Sequence, residues 1–82
     1  MQTLRTIKEK FVLSTTAEMN MDHYGISEDE IEEVMSTGKV RPVGGIFAAS
    51  AHTRTDRYLG VAYKPWENDK VLICMVYRTR DL

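Results

Sequence analysis

The segment of residues 25–38, GISEDEIEEVMSTG, constrains the fold of this chain most, because it carries both a start and a stop signal for one helix. Ser27 and Glu30 stand three residues apart, as the two members of a capping box do. Gly38 supplies the stop. Apolar residues at spacings of three and four form a single stripe: Ile31, Val34 and Met35. The sequence therefore predicts an amphipathic helix that must pack on another surface.

A first helix and a series of strands surround this segment. Residues 15–24 predict a helix with Ser14 as its cap, broken at Gly25. The strand candidates are residues 39–43 at a sheet edge, 46–51, 58–64, and a central strand, 71–76, covered on both faces. In residues 58–64 the bulkier side chains are expected to face the helices and the smaller ones to be solvated. Residues 10–13 read either as a short strand or as a lead-in to the helix, and residues 1–9 as a loose arm or an edge segment.

These patterns predict the α+β class, with two N-terminal helices packed on a three- to four-stranded antiparallel sheet. A chain of 82 residues supports one hydrophobic core, so residues 1–82 are expected to form a single domain. The expected core residues are Ala17, Met21, Ile31, Val34, Met35, Leu59, Val61, Ile73 and Met75.

Charge and cysteine content narrow the class of protein. The formal net charge is −1, which argues against binding to nucleic acid by overall charge alone. The charges are uneven, because residues 20–34 contain six acidic side chains and no lysine or arginine, while six basic residues lie between Arg54 and Arg80. A single cysteine, Cys74, excludes an internal disulfide and is expected to be buried and inert. We expect a cytoplasmic protein without a membrane span.

The basic residues of the second half suggest a phosphodiester site. His52, Arg54 and Arg57 precede a tyrosine-led strand that starts at Tyr58, and Arg78 and Arg80 end the last strand. Arginine forks bind phosphate oxygens and a histidine transfers protons near neutral pH; solvated surface arginines are the alternative. The candidate metal ligands are His23, His52 and Cys74. They lie far apart in the sequence, so they do not predict a metal site, and no cofactor is expected. Trp66 can stack on a base, fill a partner's pocket or cap the core.

Four short motifs resemble a known family. They are residues 17–20 (AEMN), 23–27 (HYGIS), 30–34 (EIEEV) and 56–60 (DRYLG) before a final apolar strand. Together they resemble the BrnT-type toxins of the RelE/ParE superfamily, or a related uncharacterised bacterial domain of the same layout. The chain departs from the family pattern at Tyr24, where histidine is usual, and near Met75 and Tyr77, where serine and arginine are usual. The resemblance implies a small ribonuclease that inhibits translation and is neutralised by an antitoxin.

Two functions of different classes follow as expectations. In the first, the chain is a metal-independent ribonuclease, with His23, His52, Arg57 and Arg78 as catalytic residues and with RNA and an antitoxin as partners. Its RNA-binding residues would be Arg54, Arg57, Tyr58, Trp66 and Arg80, with Tyr24 or Tyr77 orienting the substrate. In the second, the chain is a non-enzymatic interaction module that binds a protein partner or a second copy of itself.

Overall fold

The computed structural model describes residues 4–79, which form one sheet with two helices packed on one of its faces. In chain order the elements are β1 (Arg5–Ile7), β2 (Phe11–Leu13), α1 (Thr15–Tyr24), α2 (Glu28–Thr37), β3 (Lys39–Val43), β4 (Ile46–His52), β5 (Tyr58–Pro65) and β6 (Val71–Arg78). The strand order is β1-β2-β6-β5-β4-β3, with β2 and β6 parallel and the other neighbours antiparallel.

The predicted α+β class is confirmed, but the predicted sheet is wrong. It has six strands instead of three or four, it is mixed instead of antiparallel, and two strands precede the helices. Strand β2 is too short to show alternation, and its partner β6 lies at the other end of the chain. The β1–β2 turn also lacks a sequence signal, because the two residues in the left-handed conformation are Lys8 and Glu9 instead of glycine or asparagine. Of the alternatives for residues 4–13, the edge segment and the short strand are the ones observed, and residues 1–3 lie outside the described residues.

Both helices begin and end where their capping residues predict. The Ser27 side chain accepts from the Glu30 amide, and the Glu30 side chain accepts from the Ser27 amide, which completes the capping box. Gly25 ends α1 in the left-handed conformation, at φ 64°. Gly38 is needed for a different reason, since a Cβ there would lie 2.4 Å from the carbonyl oxygen of Val34.

The core lies between the helices and the sheet. Seven of the predicted core residues are buried there, and Met35 packs against them while partly exposed. Met75 is a correction: it is 44% exposed, because it lies on the sheet face that no helix covers within residues 4–79. For the same reason the prediction that residues 71–76 are covered on both faces is wrong. Cys74, expected to be buried, is half-buried.

A bulge in β6 shifts the alternation of its side chains between the two faces of the sheet. Ala62 pairs with Met75 and the next residue of β5 pairs with Ile73, which leaves Cys74 without a cross-strand partner. Strand β2 has ended at this level, and side chains of α1 and its cap take over its hydrogen bonds. Ser14 Oγ donates to the Cys74 carbonyl at 2.8 Å, and Asn20 Oδ1 accepts from the Val76 amide at 3.1 Å.

We call the sheet face opposite the helices the outer face. Cross-strand neighbours share a face, and the pairing register places these residues on it: Lys39, Arg41, Ala48, Ser50, His52, Tyr58, Gly60, Ala62, Lys64, Met75 and Tyr77. Its centre is made of small residues. Gly60 and Ala62, which were expected to be solvated, are buried, and Gly60 lies beneath the ring of Tyr77.

The two layers of the molecule carry opposite charge. Helix α1 contains two acidic residues and α2 contains five, and neither helix contains lysine or arginine. Strands β3 to β6 contain four lysines and arginines and no acidic residue. The net charge of −1 therefore conceals an acidic helical layer and a basic sheet. In the described part of the chain no helix is long and apolar enough to cross a membrane.

Candidate nucleic-acid interface

A stacked pair of rings stands at one end of the outer face. His52 ends β4 and Tyr58 begins β5, and the two are direct cross-strand partners. Their ring centroids are 4.4 Å apart and their planes differ by 8°. Their sequence neighbours Ala51 and Leu59 point into the core, which fixes the backbone beneath the rings. Tyr58 is 42% exposed, so the stacked pair is accessible to a ligand.

The loop that joins the two strands supplies a carboxylate to this histidine. Asp56, held at φ 61°, places its Oδ1 at 2.6 Å from His52 Nε2. A carboxylate can only accept, so Nε2 donates, and in the neutral imidazole the lone pair is then on Nδ1, which can act as a base. Asp56 thus orients the His52 ring, as a carboxylate orients the histidine in many sites of general-base catalysis.

A groove beside His52 contains a cation and two hydroxyl groups. Its volume is about 340 Å³, and its lining includes Thr37, Lys39, Ser50 and His52. Lys39 is the cross-strand partner of Ser50, so both side chains stand on the outer face. Lys39 with the Ser50 hydroxyl suits a phosphate oxygen, whereas the Thr37 hydroxyl already donates to the Glu33 carbonyl at 2.8 Å. The groove thus places a phosphate-binding group next to the candidate base.

Helix α2 holds the β4–β5 loop through two carboxylates. Glu33 Oε2 accepts from the Arg54 amide at 2.9 Å, and Glu30 Oε2 accepts from Thr55 Oγ1 at 2.7 Å. Arg57 closes the loop by donating to Glu30 Oε1 at 3.4 Å. These contacts fix the segment on either side of Asp56, and so they orient the acidic partner of the histidine.

The environment of Glu30 keeps it ionised. Burial works against the charged form, since only 7% of this side chain is exposed. Hydrogen bonds from Thr55 and from the Ser27 amide, together with the charge of Arg57, outweigh the burial, so the pKa of Glu30 lies below its usual value. The carboxylate therefore keeps its hold on the loop throughout the neutral range.

Arg57, predicted to be catalytic and RNA-binding, is engaged inside the protein. Its guanidinium donates to the carbonyl oxygens of Tyr24 and Gly25, at the end of α1, as well as to Glu30. Only 22% of the side chain is exposed. Its observed contacts are structural, since they join the start of β5 to the turn between α1 and α2, and its predicted roles stay predictions.

The other predicted residues divide between the two faces. Arg78 pairs with Leu59, a core residue, so it lies on the helix side of the sheet end where His52 and Tyr58 lie on the outer side. Arg54 lines a groove with the acidic residues of α2. His23 contacts Tyr24 edge-to-face at 4.8 Å and is exposed near the end of α1. Arg80 lies outside the described residues.

Two further aromatic residues extend the outer face. The ring of Tyr77 lies over Gly60, so close that a Cβ on that glycine would be 2.3 Å from a ring carbon. Trp66 follows β5 at the far end, with Lys64 Nζ 5.7 Å from its ring centroid. His52, Tyr58, Tyr77 and Trp66 are thus the sequence-predicted residues that the fold brings to one face.

Sequence reasoning missed the cations of β3 and the carboxylate of the loop. Lys39 and Arg41 belong to a predicted edge strand, and their spacing of two places them on one face. Asp56 belongs to the DRYLG motif, which assigns it no role, and it lies four residues after His52. Both signals were present, but assigning them to one site requires the register between β3, β4 and β5.

Among residues 4–79, no group of three or more histidine, cysteine or acidic side chains is arranged to hold a metal ion. Comparison of the chain with models of protein families, with curated proteins and with solved structures gives no match.

Proposed function

We propose that this protein is an endoribonuclease that binds single-stranded RNA on its outer face and cleaves it without a metal ion. The observation that carries the proposal is His52, held between the Asp56 carboxylate and the Tyr58 ring on strands that contain no acidic residue. Lys39 stands in the same groove as His52. A base and a cation serve cleavage through a 2′-hydroxyl, and an aromatic surface holds the unpaired bases of the strand.

The chemistry follows from this arrangement. His52 Nδ1 removes the proton of a 2′-hydroxyl, whose oxygen attacks the adjacent phosphorus. The bond from phosphorus to the 5′-oxygen breaks, the leaving oxygen takes a proton from solvent, and a 2′,3′-cyclic phosphate remains. Asp56 stabilises the imidazolium that forms, and Lys39 offsets the negative charge that develops on the phosphoryl oxygens. The 2′-hydroxyl requirement restricts the substrate to RNA.

The resemblance to BrnT-type toxins supports a cytoplasmic protein that arrests growth by cleaving RNA. We propose that its antitoxin partner is basic where it meets the helices, because α1 and α2 together present acidic side chains without a lysine or arginine. Expression of the chain alone should then slow growth, and co-expression with the partner should restore it.

The two histidines of the chain give a direct test. Single-stranded RNA is incubated with the wild-type protein, His52→Ala and His23→Ala, each in the presence of EDTA. Loss of an acid-base group lowers a rate by about 10² to 10⁴-fold, so His52→Ala should lose most cleavage while His23→Ala keeps it. Cleavage that survives His52→Ala, or a wild-type protein inactive with EDTA present, would contradict the proposal.

A non-enzymatic interaction module is the second candidate, and one observation favours it. Val40 and Phe47 lie on the helix side of the β3–β4 hairpin, and both are exposed. Two exposed apolar side chains beside an edge strand are typical of a contact surface. A stable dimer or a co-purifying protein, disrupted by Val40→Asp, together with the absence of RNA cleavage would support this function over the first.

A further inference from the structure

We propose that the opposite end of the outer face is a second subsite of the same RNA site, where a base stacks on Trp66. This inference rests on the proposed function and specifies its substrate: a strand long enough to reach from His52 to Trp66. The subsite is the groove of about 430 Å³ whose lining includes Thr6, Val12, Trp66, Glu67 and Lys70.

The indole is presented by a rigid turn. The Trp66 amide donates to the Lys70 carbonyl at 2.9 Å, and the Lys70 amide donates to the Glu67 carbonyl at 3.2 Å. Asn68 and Asp69 between them both have φ of 58°, which is the backbone of a type I′ turn. Trp66 is nevertheless 37% exposed, so this turn does not bury it in the core.

The groove lies on the outer face. Val12 pairs with Leu72, and Leu72 pairs with Lys64, which the β5 register places on that face. Thr6 pairs with Val12 and extends the same row to the edge of the sheet. Trp66 follows Lys64 by two residues, and its ring lies 5.7 Å from the Lys64 ammonium. The Trp66 groove is therefore continuous with the surface that carries Tyr77, Tyr58 and His52.

Charge selects which part of an RNA chain occupies this groove. The lining carries one carboxylate, Glu67, and one ammonium, Lys70, so it has no net positive charge to hold a phosphate, whereas an uncharged base can stack on the indole and hydrogen-bond to polar side chains. Lys64, beside the indole, is placed to meet the backbone of the same nucleotide. Stacking of a base on an aromatic side chain with a cation beside it is typical of single-strand binding.

Separation along the sheet sets the length of the substrate. Trp66 stands eight residues after Tyr58 along β5, which corresponds to roughly 25 Å at about 3.3 Å per residue. A dinucleotide reaches only one end, whereas a decanucleotide reaches both. Affinity should therefore rise with length until both ends are occupied, and this gain should depend on Trp66.

The test uses 2′-O-methyl RNA, which cannot be cleaved, so that binding is measured apart from catalysis. Fluorescence anisotropy of labelled 2′-O-methyl decanucleotide and dinucleotide is recorded with the wild-type protein, Trp66→Leu and Trp66→Tyr. Leucine keeps an apolar side chain and removes the π-face, and tyrosine restores a π-face. Trp66→Leu should weaken decanucleotide binding about 5- to 150-fold and reduce its advantage over the dinucleotide, and Trp66→Tyr should recover most of both. Because Trp66 is the single tryptophan, quenching of its fluorescence by the decanucleotide reports the same contact.

The outcomes separate this inference from the proposed function. If Trp66→Leu binds the decanucleotide as the wild type does, while cleavage still depends on His52, the second subsite is overturned and the proposed function stands. If Trp66 is quenched and its replacement weakens binding, but the wild type cleaves no RNA, the subsite is supported and the catalytic proposal fails. Equal losses with Trp66→Leu and Trp66→Tyr would overturn stacking as the cause.

Discussion

At the residue scale, Arg57 connects the candidate site to the helical layer. One guanidinium donates to the carbonyl oxygens of Tyr24 and Gly25 and to Glu30, which joins the end of α1, the start of α2 and the start of β5. The carbonyls at a helix end lack partners within the helix, so an arginine that reaches them satisfies groups that the backbone leaves open. Arg57 therefore fixes the end of the β4–β5 loop, next to the bonds by which Glu33 and Glu30 hold Arg54 and Thr55.

Replacement of Arg57 should therefore destabilise the fold. Arg57→Ala leaves the mostly buried Glu30 carboxylate without its cation, and we expect a loss of about 2 to 4 kcal/mol in the free energy of unfolding, measured with urea. Arg54→Ala is the matched control. It removes an exposed side chain but keeps the hydrogen bond from the backbone amide of residue 54 to Glu33, so its effect should stay within about 0.5 kcal/mol. Equal stability of the two variants would contradict the structural role of Arg57.

The lowered pKa of Glu30 predicts an acid-sensitive fold. A carboxyl whose folded pKa is below its unfolded value stabilises the protein at pH above the unfolded value, and this contribution is lost as the pH falls through the folded value. From an ordinary value of 4.5 downwards, the free energy of unfolding should thus decline. Glu30→Gln should lower stability at neutral pH and flatten this decline, whereas Asp22→Asn, an exposed change on α1, should leave it unaltered. An identical acid limb in Glu30→Gln and wild type would refute the assignment.

At the element scale, strands β5 and β6 build the outer face by close contact between a glycine and a ring. Tyr77 is the cross-strand partner of Gly60, and its ring covers the glycine so tightly that no Cβ fits. Aromatic side chains commonly cover glycine in this manner in a sheet, and the ring is then held flat. The Tyr77 ring is thereby presented as a platform beside the stacked His52 and Tyr58.

A double-mutant cycle tests this platform. Gly60→Ala should lower the free energy of unfolding by about 1 to 3 kcal/mol, because the ring must move away from the new methyl group. In a Tyr77→Ala background the same change should be nearly neutral, giving a coupling energy of about 1 kcal/mol or more. Additive effects of the two changes would show that the ring does not cover Gly60.

Elements with local signals were predictable, and elements defined by distant partners were not. Helix α2 is specified by Ser27 and Glu30, two residues within one turn, and it was predicted with its boundaries. Strand β2 is defined by pairing with β6, which lies about 60 residues later in the chain, and a segment as short as FVL shows no period. The sequence predicts the wrong face for Met75 because the bulge at Cys74 shifts the alternation of β6. The hydrogen bonds that Ser14 and Asn20 form with the backbone of this bulge are visible only in the fold.

At the scale of the whole molecule, the separation of charge between layers governs how RNA would approach. The acidic helices repel a polyanion and the basic sheet attracts it, so binding is oriented although the net charge is nearly zero. The candidate site was predictable in part from the residues: His52, Tyr58, Tyr77 and Trp66 reach the outer face. Arg54, Arg57 and Arg78 do not reach it, because residue type alone cannot tell a free guanidinium from one that, like Arg57, is bound to carbonyls 32 and 33 residues away.

The dependence of RNA affinity on salt should identify the face that binds. For single strands, the logarithm of the affinity falls with the logarithm of the salt concentration, with a slope of about −0.7 for each phosphate neutralised. Arg41→Gln on the outer face should therefore reduce the magnitude of that slope by about 0.7. Arg54→Gln beside α2 should leave it unchanged, and the opposite pattern would restore the earlier expectation that Arg54 binds RNA.

The most direct test of the central claim, that the outer face binds RNA, is a ¹⁵N-¹H correlation spectrum of the labelled protein titrated with 2′-O-methyl decanucleotide. The account predicts that the largest shift changes fall on outer-face amides such as Ser50, Gly60 and Tyr77, and that residues 28–37 of α2 change little. Changes concentrated on α1 and α2, with the amides of β4 to β6 unaffected, would contradict it.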